Sequence, residues 1–205
     1  MISLRARSSH FFGGGFPTIG DPEDPTFNPL ILLTLCLGTV TGLKWIGILS
    51  MIFGALSLYA FARKALGYGR WGAIASALFF GLSLWLPVRM RDGNPNEVYY
   101  HFIPACLLCL FLARHQKRYL LFLTALFITM LSDGKLTFFA SVMYLGLLCC
   151  FPLIPGVSLW SSKHSPESLT WGERFQPLKG LSLTLALTFL LYLFRILPAV
   201  ELIQT

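Results

Sequence analysis

The sequence predicts an all-α, polytopic transmembrane bundle of about five to seven membrane helices. Three observations lead there. Of 205 residues, 55% are hydrophobic and only 12% charged, and the mean hydropathy is +0.68. A water-soluble domain of this length has too little interior to hide so much apolar surface. Several apolar runs approach the roughly 20 residues that cross a bilayer core of about 30 Å, and helices satisfy their own backbone polar groups in lipid. Finally, the net charge of +7 is not gathered into one patch. Lys and Arg fall mostly in short loops between apolar runs, which signals membrane orientation and no nucleic-acid partner.

Taken in order, residues 1–27 form an irregular loop. Gly13-Gly14-Gly15, Phe16-Pro17 and Asp21-Pro22-Glu23-Asp24-Pro25 are too rich in glycine and proline for a helix. The carboxylates of Asp21, Glu23 and Asp24 read either as a cation-binding loop or as a solvated acidic turn. No apolar core of signal-peptide length opens the chain, so it reads as an N-terminally incomplete or short form of a polytopic protein.

Residues 28–153 are the expected helical core. Asn28-Pro29 can start a helix, and Leu30 to Val40 is either a short tilted span or a re-entrant piece. Gly38-x-x-x-Gly42 allows another helix to approach closely. Lys44 is expected to interrupt, before a span over Ile46 to Ala62 that ends at Arg63-Lys64. Trp71 to Val88 spans next, then Phe102 to Ala113, Tyr119 to Ser132 (short) and Leu136 to Leu153. Residues 154–178 form a polar connection, and 179–205 a last helix whose apolar run covers Leu178 to Val200. The five cysteines, Cys36, Cys106, Cys109, Cys149 and Cys150, lie inside apolar segments and read as packing residues. Cys106-x-x-Cys109 lacks the partners of a zinc site.

Between two apolar runs stands a polar island, Arg89-Met90-Arg91-Asp92-Gly93-Asn94-Pro95-Asn96-Glu97-Val98-Tyr99-Tyr100-His101. Ionisable groups beside a bilayer cost free energy unless paired or hydrated, which makes such a cluster a candidate functional site. The positive-inside rule puts the loops at Arg63–Arg70 and Arg114–Arg118 in the cytoplasm. The island and Asp133-Gly134-Lys135 then face outward, as does the Asp21–Asp24 loop if Leu30 to Ala62 crosses once. Two crossings there would move that loop inside.

Each residue also has a plainer reading. Asn94-Pro95-Asn96-Glu97 fits a capping box, with Asn94 at the N-cap and Glu97 at N3. Asp92 can simply pair with Arg89 or Arg91. His101 lies four residues after Glu97, the spacing of one α-helical turn, and is either a metal ligand or an interfacial histidine. Tyr99 and Tyr100 suit an aromatic belt. Lys135 can be a snorkelling anchor.

Several stretches resemble the membrane module of GT-C-fold glycosyltransferases, the polyprenyl-phosphate-sugar-dependent group that includes the protein mannosyltransferases. They are Gly13-Gly14-Gly15-Phe16-Pro17, Pro25-Thr26-Phe27-Asn28-Pro29-Leu30, Tyr59 to Gly67, Asp92 to His101 with Pro104, and Leu131-Ser132-Asp133-Gly134-Lys135. The similarity covers roughly residues 11 to 153 and consists of loop order and short motifs. It implies an enzyme of the bacterial cytoplasmic membrane that takes a sugar from a polyprenyl-phosphate donor and passes it to an acceptor on the outer face. Asp92 and Glu97 stand where the second acidic motif is expected. The first span and the part of the first outer loop that carries the family's base have no counterpart here, so Asp21 or Asp24 would have to substitute. Arg89, Arg91 and Lys135 would hold the leaving phosphate. A divalent metal ion, if used, would sit at Asp92, Glu97 and His101.

Two other classes compete with this one. A small transporter predicts ionisable groups near the membrane midplane and internal repeats, and no repeat is found. A non-catalytic polytopic membrane protein predicts scattered loops.

Overall fold

The computed structural model describes residues 8–9, 16–17, 30–84, 86–88, 95–113, 117–132, 135–150 and 171–204. Apart from a two-residue antiparallel pairing of β1 (Ser8–Ser9) with β2 (Phe16–Pro17), the described chain is helical. Three helices are long and apolar enough to cross a membrane: Thr39–Lys64, Arg70–Val88 and Phe175–Leu193. Large apolar side chains such as Trp71 (80% exposed) and Phe79 (84% exposed) point outward. A surface of that kind is compatible with an integral membrane protein.

Helix α1 (Ile31–Leu37) has seven residues, about 10 Å at 1.5 Å each, too short to span. It hooks back onto α2 (Thr39–Lys64) through Gly38, whose φ of +81° suits a residue without Cβ. Gly42 lies directly against the backbone of Thr34, so the Gly38-x-x-x-Gly42 spacing supplies first the hinge and then the close approach. Residues 30–62 thus contain one helix of crossing length. Lys44 does not break it as expected: an exposed lysine on the sixth residue of a helix can carry its ammonium toward the nearby end.

The buried face of α2 runs Gly42, Ile46, Ser50, Gly54, Ser57 and Phe61, spaced by three or four residues, and is mostly small. Small side chains let neighbouring backbones come close, which matters in lipid because packing replaces the hydrophobic drive between helices. Ser50 returns its hydroxyl to the Ile46 carbonyl (2.6 Å), so a polar atom is buried without a missing partner. Helix α3 (Arg70–Gly81) packs on α2 along the adjoining stripe of Met51 and Ala55, where Gly81 meets Ala55. The turn between them uses Gly67 at φ +70°, with the Arg63 guanidinium donating to the Tyr68 carbonyl at 2.9 Å.

The second half of the island is a 3-10 helix, Pro95–Phe102, which continues as α4 (Ile103–Ala113). At about 2.0 Å per residue for the first and 1.5 Å for the second, the pair is about 32 Å long. Pro95 opens the 3-10 helix, as the sequence suggested for the helix start, and Pro104 is the second residue of α4. Both prolines therefore stand where a missing N–H leaves no ladder bond broken. Helix α5 (Arg118–Leu131) returns antiparallel to α4, and α6 (Lys135–Cys150) follows. Helix α7 (Trp171–Gln204) begins ahead of the expected Leu178 and carries Pro177 within it. It packs on α5, with Gly180 beside Leu121.

One core cluster joins Phe61, Tyr99, Phe102, Cys106, Ile128 and Leu145, and a second joins Ile46, Leu86 and Val98. The second cluster fixes direction. Val98 meets the Ile46 part of α2, so the island end of the bundle lies opposite Arg63-Lys64, and the α4–α5 turn at Lys117-Arg118 lies on the Arg63-Lys64 side.

Candidate functional site

The described part of the island is the 3-10 helix, and it is held from four sides by α2, α4, α5 and α6. Only its beginning can be a rim. Val98 is 1% and His101 0% exposed, and Tyr99 and Phe102 are buried as well. The expected interfacial belt is therefore corrected at Tyr99, whose ring belongs to the core with Phe102 at 6.2 Å. Tyr100, half-buried, stacks on Phe80 of α3 at 5.2 Å.

His101 sits deepest. Its ring meets Phe80 edge-on (5.3 Å) and Tyr100 at right angles (5.8 Å), and its backbone and Cβ press on Gly54 in the middle of α2. Among the described residues neither ring nitrogen meets a partner in hydrogen-bonding geometry. An imidazole enclosed this way is not an interfacial one. Nor do positions 97 and 101 share a helical face. At three residues per turn, four residues advance the chain about a third of a turn past alignment. The α-helical spacing that joined them is absent.

Of the other candidates, Glu97 lies in the first turn of the 3-10 helix and Lys135 is the first residue of α6. Connectivity brings these two positions to the same end of the bundle: α5 runs antiparallel to α4, so its last residue, Leu131, and the start of α6 lie at the end where α4 begins. Asp21, Asp24, Arg89, Arg91 and Asp92 lie outside the described residues. Among the described residues no three His, Cys, Asp or Glu side chains converge as a metal site would require.

The aromatic floor beneath this end is a triangle of Phe53, Phe102 and Phe127, with centroids 5.1 to 5.8 Å apart, tying α2, the 3-10 helix and α5 together. The separations fall in the range that favours offset or edge contacts between rings. The buried hydroxyl of Thr124 donates to the Leu120 carbonyl of its own helix at 2.8 Å.

A cavity of about 470 Å³ opens at the opposite end, between α4, α5, α6 and α7. Its walls include Leu107, Phe111 and Leu183, and Arg118 and Lys179 stand on its border. In the sequence the Arg114–Arg118 loop carries a topological signal alone, and Lys179 stands in no motif. Their meeting depends on how α7 packs on α5, which no local spacing announces. Set against protein-family models, curated proteins and solved structures, the chain matches none of them.

Proposed function

We propose that the chain is an integral-membrane glycosyltransferase of GT-C type, with about five to seven membrane helices. It moves a hexose or pentose from a polyprenyl-phosphate donor to an acceptor at the extracytoplasmic face of the bacterial cytoplasmic membrane. The observation that carries this reading is the junction of separate polar segments at one end of the bundle. The 3-10 helix that begins with Pro95-Asn96-Glu97 packs against α6, the helix that begins at Lys135. The basic turns at Arg63–Arg70 and Lys117-Arg118 lie at the other end, as an outward-facing site requires.

In this scheme a carboxylate, Asp92 or Glu97, takes the proton of the acceptor hydroxyl as the acceptor oxygen bonds to the anomeric carbon. The bond from that carbon to the phosphate oxygen breaks, and Arg89, Arg91 and Lys135 stabilise the phosphate that leaves. Asp21 or Asp24 supplies a further carboxylate from the first outer loop. No step is routed through a metal ion: positions 97 and 101 do not share a helical face, and Asp92 lies outside the described residues. His101 is assigned to packing. A transport pathway has less support: among the described residues the buried ionisable side chains other than cysteine are Tyr99, packed in the core, and His101, enclosed by rings.

The test is sugar transfer in liposomes holding the full chain and a labelled polyprenyl-phosphate sugar. Asp92→Asn should lower the rate by about 10²–10⁴-fold, the usual yield of general base catalysis, with expression and insertion unchanged. Equal transfer by the variant and the parent would remove Asp92 from the chemistry, and no transfer by the parent would leave a non-catalytic membrane protein as the better description.

A further inference from the structure

We propose that the cavity at the basic end is a binding site for one anionic glycerophospholipid. Arg118 and Lys179 hold its phosphate, and an acyl chain lies along Leu107, Phe111 and Leu183. The inference is independent of the sugar-transfer reading, because this cavity and the polar island occupy opposite ends of the bundle.

The lining has the two chemistries such a lipid needs. Apolar side chains from α4, α5, α6 and α7 form the interior, while the exposed Arg118 and Lys179, from α5 and α7, mark the border. Neither cation has an ion pair among the described residues. Basic pockets between membrane helices are suited to phosphate headgroups, and a charge at the helix end lies at headgroup depth. The first-turn N–H groups of α5, the helix that Arg118 opens, add positive potential on the same side. At about 470 Å³ the space is within the ~300–1,000 Å³ of small-molecule sites.

Size argues for a chain and against a protein segment. An α-helix with its side chains is about 10–12 Å across. The enclosing helices already touch: α5 packs on α4, α6 and α7, and α7 packs on α4 and α6. A flexible hydrocarbon chain enters where a helix cannot. The two cations then select an anionic headgroup over a zwitterionic one.

The test uses the full chain, purified in detergent and stripped of lipid. Phosphatidylglycerol should raise the unfolding temperature and appear as a single adduct in native mass spectrometry, whereas phosphatidylcholine with the same chains should do neither. Glycerol phosphate, a headgroup without chains, should also fail. Arg118→Gln with Lys179→Gln should weaken phosphatidylglycerol binding by about 25-fold, from roughly fivefold per cation. Leu183→Trp puts an indole in the path of the acyl chain with both charges kept, and should weaken the adduct. Three results would each overturn the proposal: equal stabilisation by the two lipids, undiminished binding in the double charge variant, or preference for a polyprenyl phosphate over phosphatidylglycerol.

Discussion

Gly54 and His101 touch so closely that a methyl group at Gly54 would lie 2.9 Å from the Cβ, the Cδ2 and the carbonyl oxygen of His101. No other residue type fits there without movement. The contact explains how the 3-10 helix reaches the middle of α2, and with it how the later half of a polar-looking segment becomes core. Phe80 and Tyr100 close around the same imidazole, so α2, α3 and the 3-10 helix share one joint.

Gly54→Ala should therefore destabilise the protein by about 1–3 kcal/mol, the usual cost of forcing a methyl group into a filled contact. Gly146→Ala is the control. An added Cβ at Gly146 meets nothing within 4 Å, and alanine is the better helix former by roughly 0.5–1 kcal/mol. Thermal unfolding in detergent should move the two variants in opposite directions. A Gly54→Ala protein as stable as the parent would show that the 3-10 helix does not bear on α2.

His101 invites a second substitution. A buried polar atom without a partner costs about 1–3 kcal/mol, and replacing it with an apolar group of similar size is close to neutral or stabilising. His101→Leu should therefore melt at or above the parent temperature, and in the transfer assay it should retain activity. His101→Lys should destabilise strongly, since its charge would be buried among rings. Loss of transfer in a stable His101→Leu protein would return the imidazole to the chemistry.

Much of the architecture is legible in the sequence because it depends on local patterns. The basic turn at Lys117-Arg118 and the apolar run after it place α5 at Arg118–Leu131, within a residue of the Tyr119–Ser132 reading. The Gly38-x-x-x-Gly42 spacing announces a close approach, and the segment that makes it is α1. The burial of Val98 to His101 is not legible in the same way. Tyr, Tyr and His count as polar, yet each has a largely apolar body that a close-packed joint can enclose. The contact that encloses His101 is made with Gly54, far away in sequence. The meeting of Arg118 with Lys179 is likewise a matter of tertiary packing. The proposed base, Asp92, and its neighbours Arg89 and Arg91 remain sequence-level assignments.

The α1 hook yields a third expectation. Gly42 abuts the Thr34 backbone, so a side chain there cannot be accommodated by a rotamer change in a neighbour. Gly42→Leu should lift Ile31–Leu37 away from α2 while leaving α2 itself intact. Hydrogen exchange should then rise across residues 31–37 and stay unchanged over 46–61. Equal exchange in both proteins would mean that α1 is held by something other than this contact.

The last prediction concerns sidedness, on which the proposed site depends. The α2–α3 turn at Gly67 and the α4–α5 turn at Lys117 share one end of the bundle, because Val98 packs with Ile46 at the other. In a background with the five native cysteines replaced, Gly67→Cys and Lys117→Cys should be protected from a membrane-impermeant maleimide in intact cells. Asn94→Cys and Gly134→Cys should react with it. Permeabilising the cells should expose the first pair without changing the second. Labelling of Asn94→Cys and Gly134→Cys from different compartments would separate Arg89 and Arg91 from Lys135, and no common phosphate site could then be formed.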